Sequence, residues 1–148
     1  MPDDIVIRVA NEKDAPELAR LNAAFNDVYE PPEALIPRFA DPQRVETPLI
    51  AMVGGRAVGF AAVRVVHSLF YAHPHAELTE LYVEPAFRRQ GIARGLIALA
   101  ERVAAERGAR TLTLLTGADN QPARALYSAL GYADDDISLT KALGPPED

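Results

Sequence analysis

Cysteine is absent from all 148 positions, which excludes a disulfide framework, a thiolate metal site and a cysteine nucleophile. Long apolar runs are missing too. Hydrophobic residues make up 49% of the chain, yet no window approaches the roughly 18 uninterrupted apolar residues of a membrane span. The opening Met1-Pro2-Asp3-Asp4 is acidic and has no apolar core segment, so nothing there reads as a signal peptide. A cytoplasmic protein without a membrane partner is expected. Cationic excess is also lacking: 15 Lys and Arg against 21 Asp and Glu give a formal net charge of −6. This disfavours nucleic acid as a partner, because sequence-independent affinity for a phosphate backbone comes from clustered cations. The charge is compatible with a cationic substrate, and solubility alone would also account for it. With no internal repeat and no linker, 148 residues have room for one domain, spanning 1–148, with its own core.

Residues 5–9 (Ile-Val-Ile-Arg-Val) read as a first strand, followed by Asn11 as an N-cap with an acidic first turn. Leu18, Leu21, Phe25 and Val28 then recur at helical spacing as one apolar stripe. Prolines at 31, 32, 37, 42 and 48 leave space only for a short helix over 33–40. Two apolar runs, 49–53 and 57–66, flank Gly54-Gly55-Arg56 and predict a hairpin. A fourth strand is expected over 77–83, with strict alternation placing Glu77 and Glu80 on opposite faces. Ile92, Leu96, Leu99 and Val103 predict a helix over 90–107 closed by Gly108. A fifth strand (111–116), a helix (121–130) and a sixth strand (137–143) complete a mixed α/β layer fold.

The chemistry concentrates in Leu81-Tyr82-Val83-Glu84-Pro85-Ala86-Phe87-Arg88-Arg89-Gln90-Gly91-Ile92-Ala93-Arg94, where a strand passes through a short turn into a helix. The first N–H groups of a helix have no internal partners and sit at its positive end, which suits an anion. Gly91 removes a side chain that would block a diphosphate, and Arg88, Arg89 and Arg94 add local positive potential to an acidic protein. A glycine at a helix start also serves simply to ease a turn, and arginines beside it are ordinarily solvated.

Arg88-x-x-Gly91-x-Ala93 after an apolar strand resembles the Q/R-x-x-G-x-G/A signature of the GCN5-related N-acetyltransferase (GNAT) superfamily. Asn120, Ala123, Leu126, Tyr127, Leu130, Gly131 and Tyr132 are similar to its N-x-x-A-x-x-L-Y-x-x-x-G-F/Y segment. Ala93 stands where many members carry glycine. The resemblance implies a mostly antiparallel mixed central sheet of six to seven strands flanked by about four helices. It implies acetyl-CoA as cosubstrate, with CoA as product, transferred directly to a primary amine. The acceptor expected is a small molecule such as an aminoglycoside or a polyamine. A peptide or protein amine, or a non-catalytic acyl-CoA-binding module, is the alternative. Dimerisation is common in the superfamily, and a homodimer is compatible with the resemblance.

By the same resemblance, Arg88, Arg89, Gln90, Gly91, Ile92, Ala93 and Arg94 would hold the pyrophosphate. Backbone groups of Leu81, Tyr82 and Val83 would pair with the pantetheine arm, and Asn120 and Tyr127 would also touch the cofactor. Amide formation from a thioester needs a neutral amine, a stabilised oxyanion and a proton for the departing thiolate. An amine with pKa near 10.4 is neutral in only about one part in a few thousand at pH 7, so a base or desolvation must act. Glu77 and Glu80 are the candidate bases, with water relayed from a backbone carbonyl as a further route. Tyr127 is the candidate acid, although packing alone would explain a tyrosine there, as helix capping alone would explain Asn120. The acceptor groove is expected from 25–38 and 68–76, where Asp27, Tyr29, Glu30 and Glu33 are acidic or aromatic. Residues 25–30 (Phe-Asn-Asp-Val-Tyr-Glu), together with 88–93 (Arg-Arg-Gln-Gly-Ile-Ala) and 125–127 (Ala-Leu-Tyr), are faintly similar to the aminoglycoside 3-N-acetyltransferase branch. His67, His73 and His75 lack acidic or cysteine companions, so no metal site is expected.

Overall fold

The computed structural model describes residues 4–134 and 137–144. They fall into two compact units, Met1–Leu115 and Thr116–Asp148, each described on its own terms.

The first unit is a sheet in the order β1-β2-β3-β4-β5. Its strands are β1 (Ile5–Val9), β2 (Glu46–Val53), β3 (Arg56–Val66), β4 (His75–Val83) and β5 (Leu112–Leu114). The first four pair antiparallel and β5 joins β4 in parallel. Gly54 (φ 57°) and Gly55 (φ 79°) form the two-residue turn between β2 and β3, at the left-handed angles such a hairpin demands. Helix α1 (Ala15–Asn26) buries Leu18 and Leu21 against Ile50, Ala57 and Phe60, with Leu35 and Phe39 of α2 (Pro32–Phe39) alongside. The predicted stripe is shorter than its spacing suggested: Asp27 turns left-handed (φ 55°) and ends the helix, leaving Val28 outside it and 49% exposed. Helix α3 (Ile92–Glu106) covers the opposite face, with Ile92, Leu96, Leu99 and Val103 buried as their period requires. Gly59 allows a close approach there, since a Cβ on it would lie 2.9 Å from the Tyr82 carbonyl oxygen.

Two bulges break the ladders. Val58 is the extra residue between Ala51↔Gly59 and Met52↔Ala57, and Thr79 is the extra residue between Ala62↔Glu80 and Val63↔Leu78. A bulge inverts the side-chain alternation beyond it. Phe60, Ala62 and Arg64 share one face of β3, and their partners across the ladder are Tyr82, Glu80 and Glu77. Glu77 and Glu80 therefore lie on the same face, the one covered by α1, and not on opposite faces as unbroken alternation predicts.

Five strands, not six to seven, are present among the described residues, and the four helices match the expectation. Residues 137–143 form no strand, and Ile137, Leu139 and Leu143 are about nine-tenths exposed. Alternation there supplies a face, but without a partner strand there is no ladder. The expected strand 111–116 shortens to Leu112–Leu114.

Two polar details of this unit make stability predictions. Arg8 grips Asp14 through both guanidinium nitrogens at 2.8 Å, and the Asn11 N–H donates to the same carboxylate at 2.8 Å. The Arg8 hydrogen bond, reinforced by Asn11, holds the Asp14 carboxyl below its ordinary value of 3.8 against the opposing effect of burial. This contribution is fully present above that value and is lost as pH falls through the lower folded value. Asp14→Asn is expected to cost about 2 kcal/mol at pH 7 and to flatten the acid side of a urea-unfolding series run from pH 7 to pH 2.

Thr47 on β2 is 3% exposed, and its hydroxyl has no hydrogen-bond partner among the described residues. An unpaired buried hydroxyl is costly, so Thr47→Val is expected to stabilise the protein by about 1 kcal/mol. The same urea titration would register this as a later midpoint.

Candidate active site

β5 accompanies β4 only along Ala76, Glu77 and Leu78, whereas β3 follows β4 to Val83. From Thr79 to Val83 the other edge of β4 has no partner strand among the described residues. The sequence-predicted Leu81, Tyr82 and Val83 lie on this open edge. Backbone groups left unpaired along such an edge accept an extended amide chain as an added strand, although the Val83 carbonyl here already accepts from Arg88.

Beyond Val83 the chain makes a 3-10 turn over Pro85–Phe87 and enters α3. Glu84 fastens the junction. Its N–H donates to the Val58 carbonyl at 2.8 Å, and its carboxylate pairs with Arg20 of α1 at 3.3 Å and with Arg56 at 3.2 Å. Arg20 also donates to the Ala57 carbonyl at 2.7 Å, so α1, β3 and the end of β4 are tied at one point. Sequence reasoning missed this node, because its members are scattered along the chain.

Arg89 (φ 65°) and Gly91 (φ 82°) are both left-handed, which makes the sharp entry into the helix. No side chain caps α3 and no acidic residue stands in its first turn. The first intrahelical bond runs from the Gly95 N–H to the Gly91 carbonyl at 3.0 Å, so the N–H groups of Ile92, Ala93 and Arg94 precede it and remain free for an anion. A Cβ on Gly91 would meet nothing within 4 Å, so the mouth is open. These features fit a diphosphate. The three cations of the segment, Arg88, Arg89 and Arg94, are all exposed. Arg88 is engaged within the chain as well, its Nε–H donating to the Val83 carbonyl at 2.9 Å and its guanidinium lying 5.9 Å from the centre of the Tyr82 ring.

On the α1 side of the sheet, Glu46, Arg64 and Glu77 form a cross-strand row. Arg64 pairs with Glu77, and the Thr79 hydroxyl donates to Glu46 at 2.6 Å. Glu80 accepts from Asn26 of α1 at 3.0 Å. Phe25 stacks on Tyr82 with ring centres 5.1 Å apart, flanking this acidic patch with an aromatic wall. Glu46 was not anticipated, since only the register brings it beside Glu77 and Glu80. In the expected groove, Glu30 pairs with Arg38, and Ser68 accepts from the N–H groups of Phe70 and Tyr71. His73 and His75 line a shallow depression of about 360 Å³ with Tyr71 and Arg110. No group of metal-ligating side chains occurs among the described residues.

Asn120 and Tyr127 belong to the second unit and sit on its helix α4 (Gln121–Ala129). Asn120 is the N-cap, its Oδ1 accepting from the Ala123 N–H at 3.3 Å. Tyr127 packs edge-on against Tyr132 with ring centres 6.1 Å apart. Burial raises the Tyr127 phenol above its ordinary value of 10.0, keeping the hydroxyl protonated.

The model of the acetyltransferase (GNAT) family matches residues 15–132. The chain belongs to this family. An aminoglycoside N(6')-acetyltransferase type 1 of Salmonella typhimurium is 32% identical over 88 residues, covering 57% of this chain and 61% of that protein. The chain thus matches about three fifths of the length of that relative. Among solved structures, aminoglycoside N-acetyltransferase AAC(6')-Iy in complex with CoA aligns with a TM-score of 0.82 at 23% identity, over 95% of each chain. This likeness is one of fold. A ribosomal-protein-alanine N-acetyltransferase from Brucella melitensis aligns with a TM-score of 0.78 at 26% identity, over 95% of this chain and 100% of the other. The aminoglycoside relative carries N(6') in its name, whereas the segments 25–30, 88–93 and 125–127 are faintly similar to the 3-N branch. No helix among the described residues is long and apolar enough to cross a membrane.

Proposed function

We propose that the protein is an acetyl-CoA-dependent N-acetyltransferase whose acceptor is a small molecule bearing primary amines, an aminoglycoside or a polyamine. The observation that carries this reading is the open edge of β4 leading straight to an uncapped helix N-terminus. The first offers backbone partners to an amide-containing arm, and the second offers N–H groups to a diphosphate. The acidic face beside that edge, with Glu46, Glu77 and Glu80, favours a cationic acceptor.

Bound acetyl-CoA supplies an acetyl group activated as a thioester. The chain's own residues do the remaining work. Ile92, Ala93 and Arg94 hold the diphosphate by their N–H groups, with Arg89 and Arg94 adding charge, while Arg88 braces the turn through the Val83 carbonyl. Leu81, Tyr82 and Val83 align the arm along the strand. Glu80 takes the proton of the acceptor ammonium, and Glu77, already paired with Arg64, is the less available of the two carboxylates. Tyr127 donates the proton that the departing thiolate requires, and Asn120 fixes the start of its helix.

The test is CoA-thiol release followed with a thiol-reactive dye, across aminoglycosides, polyamines, amino acids and peptides. A cysteine-free protein adds no background to it. Release dependent on an aminoglycoside or polyamine is the expected result. Release only with peptides that begin with alanine, and so present its free α-amino group, would favour a protein acceptor, the reading that the Brucella structure supports by its name. Acetyl-CoA binding without release for any amine would leave a binding module instead.

A further inference from the structure

Three carboxylates share the α1 face of the sheet, and their partners differ. Glu77 is neutralised by Arg64, Glu46 is engaged by the Thr79 hydroxyl, and Glu80 receives a neutral amide from Asn26. Glu80 thereby has no cation paired with it among the described residues, and its second oxygen has no partner among them either.

The amide that meets it is fixed in orientation. Asn26 Nδ2 lies 2.7 Å from Asn22 Oδ1 and 3.0 Å from Glu80 Oε2, so both of its hydrogens are committed. Asn22 is oriented in turn, because its own Nδ2 donates to the Val28 carbonyl at 3.2 Å. That carbonyl is brought round by left-handed Asp27, which stops α1 immediately after Asn26. A relay from the turn at 27–28 through Asn22 and Asn26 therefore ends on the Glu80 carboxylate, with nitrogen rather than oxygen facing it. The register supplies the other half of the geometry, since Glu80 pairs with Ala62 as Tyr82 pairs with Phe60 and so stands on the α1 face beside the bulge at Thr79.

We infer that Asn26 is a positioning residue for acetyl transfer: by holding Glu80 Oε2 it fixes the carboxylate and leaves Oε1 to meet the acceptor's ammonium group. This rests on the transferase reading above. Asn26 touches neither the acceptor nor the acyl donor in this role and acts only through Glu80.

A double-mutant cycle tests it, using the whole chain, acetyl-CoA and whichever amine supports CoA release. Asn26→Ala is expected to lower kcat about tenfold with KM for acetyl-CoA unchanged. In a Glu80→Gln background the same change is expected to cost less than about twofold, because the group it positions has already gone. Asn26→Asp keeps the shape and sets a like charge against Glu80, and should be at least as slow as Asn26→Ala. Asn26 is exposed at a helix end, and equal unfolding midpoints for the variants would show that folding is not what changed. Losses of equal size in both backgrounds would overturn the inference, as would a raised KM for acetyl-CoA with kcat intact. A wild-type protein silent with every amine overturns the transferase reading and this inference with it, whereas an active wild type with additive losses overturns the inference alone.

Discussion

Gly91→Glu is expected to weaken acetyl-CoA binding about a hundredfold while the protein still folds. The new side chain has space, since even a Cβ there meets nothing within 4 Å. The backbone is the first cost: φ is 82°, and a side chain in the left-handed region costs roughly 1–2 kcal/mol of stability. The larger effect falls on binding. A carboxylate at the start of α3 is itself favoured by the helix dipole, so it would occupy the N–H groups of the first turn and repel an incoming diphosphate. Losing charge-assisted hydrogen bonds costs about 1.5–3 kcal/mol, and a hundredfold change corresponds to about 2.7 kcal/mol. Calorimetric titration with acetyl-CoA reads this directly. Gly91→Ala is the control: it carries the backbone strain without the charge, and should lower the unfolding midpoint with far less effect on affinity. Unchanged affinity in the glutamate variant would place the diphosphate elsewhere.

Tyr127→Phe is expected to reduce kcat about a hundredfold and to leave acetyl-CoA affinity within about twofold. The ring that packs on Tyr132 is kept, so only the hydroxyl is removed. Because burial raises the phenol above 10.0, the hydroxyl proposed as the proton donor stays protonated throughout the neutral and mildly alkaline range. The sign follows from the neutral form being the buried one. The stability it contributes is present below the ordinary value and is lost as pH rises through the higher folded one. An alkaline fall in rate below pH 10 would then have to come from another group. Stopped-flow thiol release at saturating acetyl-CoA measures kcat, and a variant as fast as wild type would leave Tyr127 a packing residue.

Elements whose signals are local were legible in the sequence. Gly54-Gly55 announced its hairpin, Asn11 its cap, and the stripe from Ile92 to Val103 its helix, because each depends on residues within a turn or two. The anion-ready start of α3 belongs with them, since Gly91 and the lack of a capping side chain are both readable in the chain. What alternation misread was register. Nothing around Thr79 marks it as an extra residue, and the bulge arises from how β4 meets β3, so Glu77 and Glu80 were assigned to opposite faces. The same blindness to partners produced a sixth strand from the alternation at 137–143. Arg20, Glu84 and Arg56 are a further case, three distant residues whose meeting depends on the whole sheet. Arg88 shows how a motif residue can be found by pattern while its side chain serves another purpose, bracing Val83 and Tyr82.

The bulge at Thr79 also decides which changes of length the fourth strand can absorb. Removing that one residue would restore regular pairing with β3, and regular pairing would turn over everything on one side of the cut. Either Glu80 and Tyr82 would rotate into the apolar layer beneath α3 while Leu81 and Val83 rotated out, or the reversal would strike Ala76, Glu77 and Leu78. Substitutions at this position alter the contacts of one side chain, with Glu46 and the Ala62 carbonyl, whereas a deletion exchanges inside for outside along half a strand. Related chains that differ by a single residue in this segment are therefore to be aligned by face and not by simple count, since an offset of one separates an acidic wall from a greasy one.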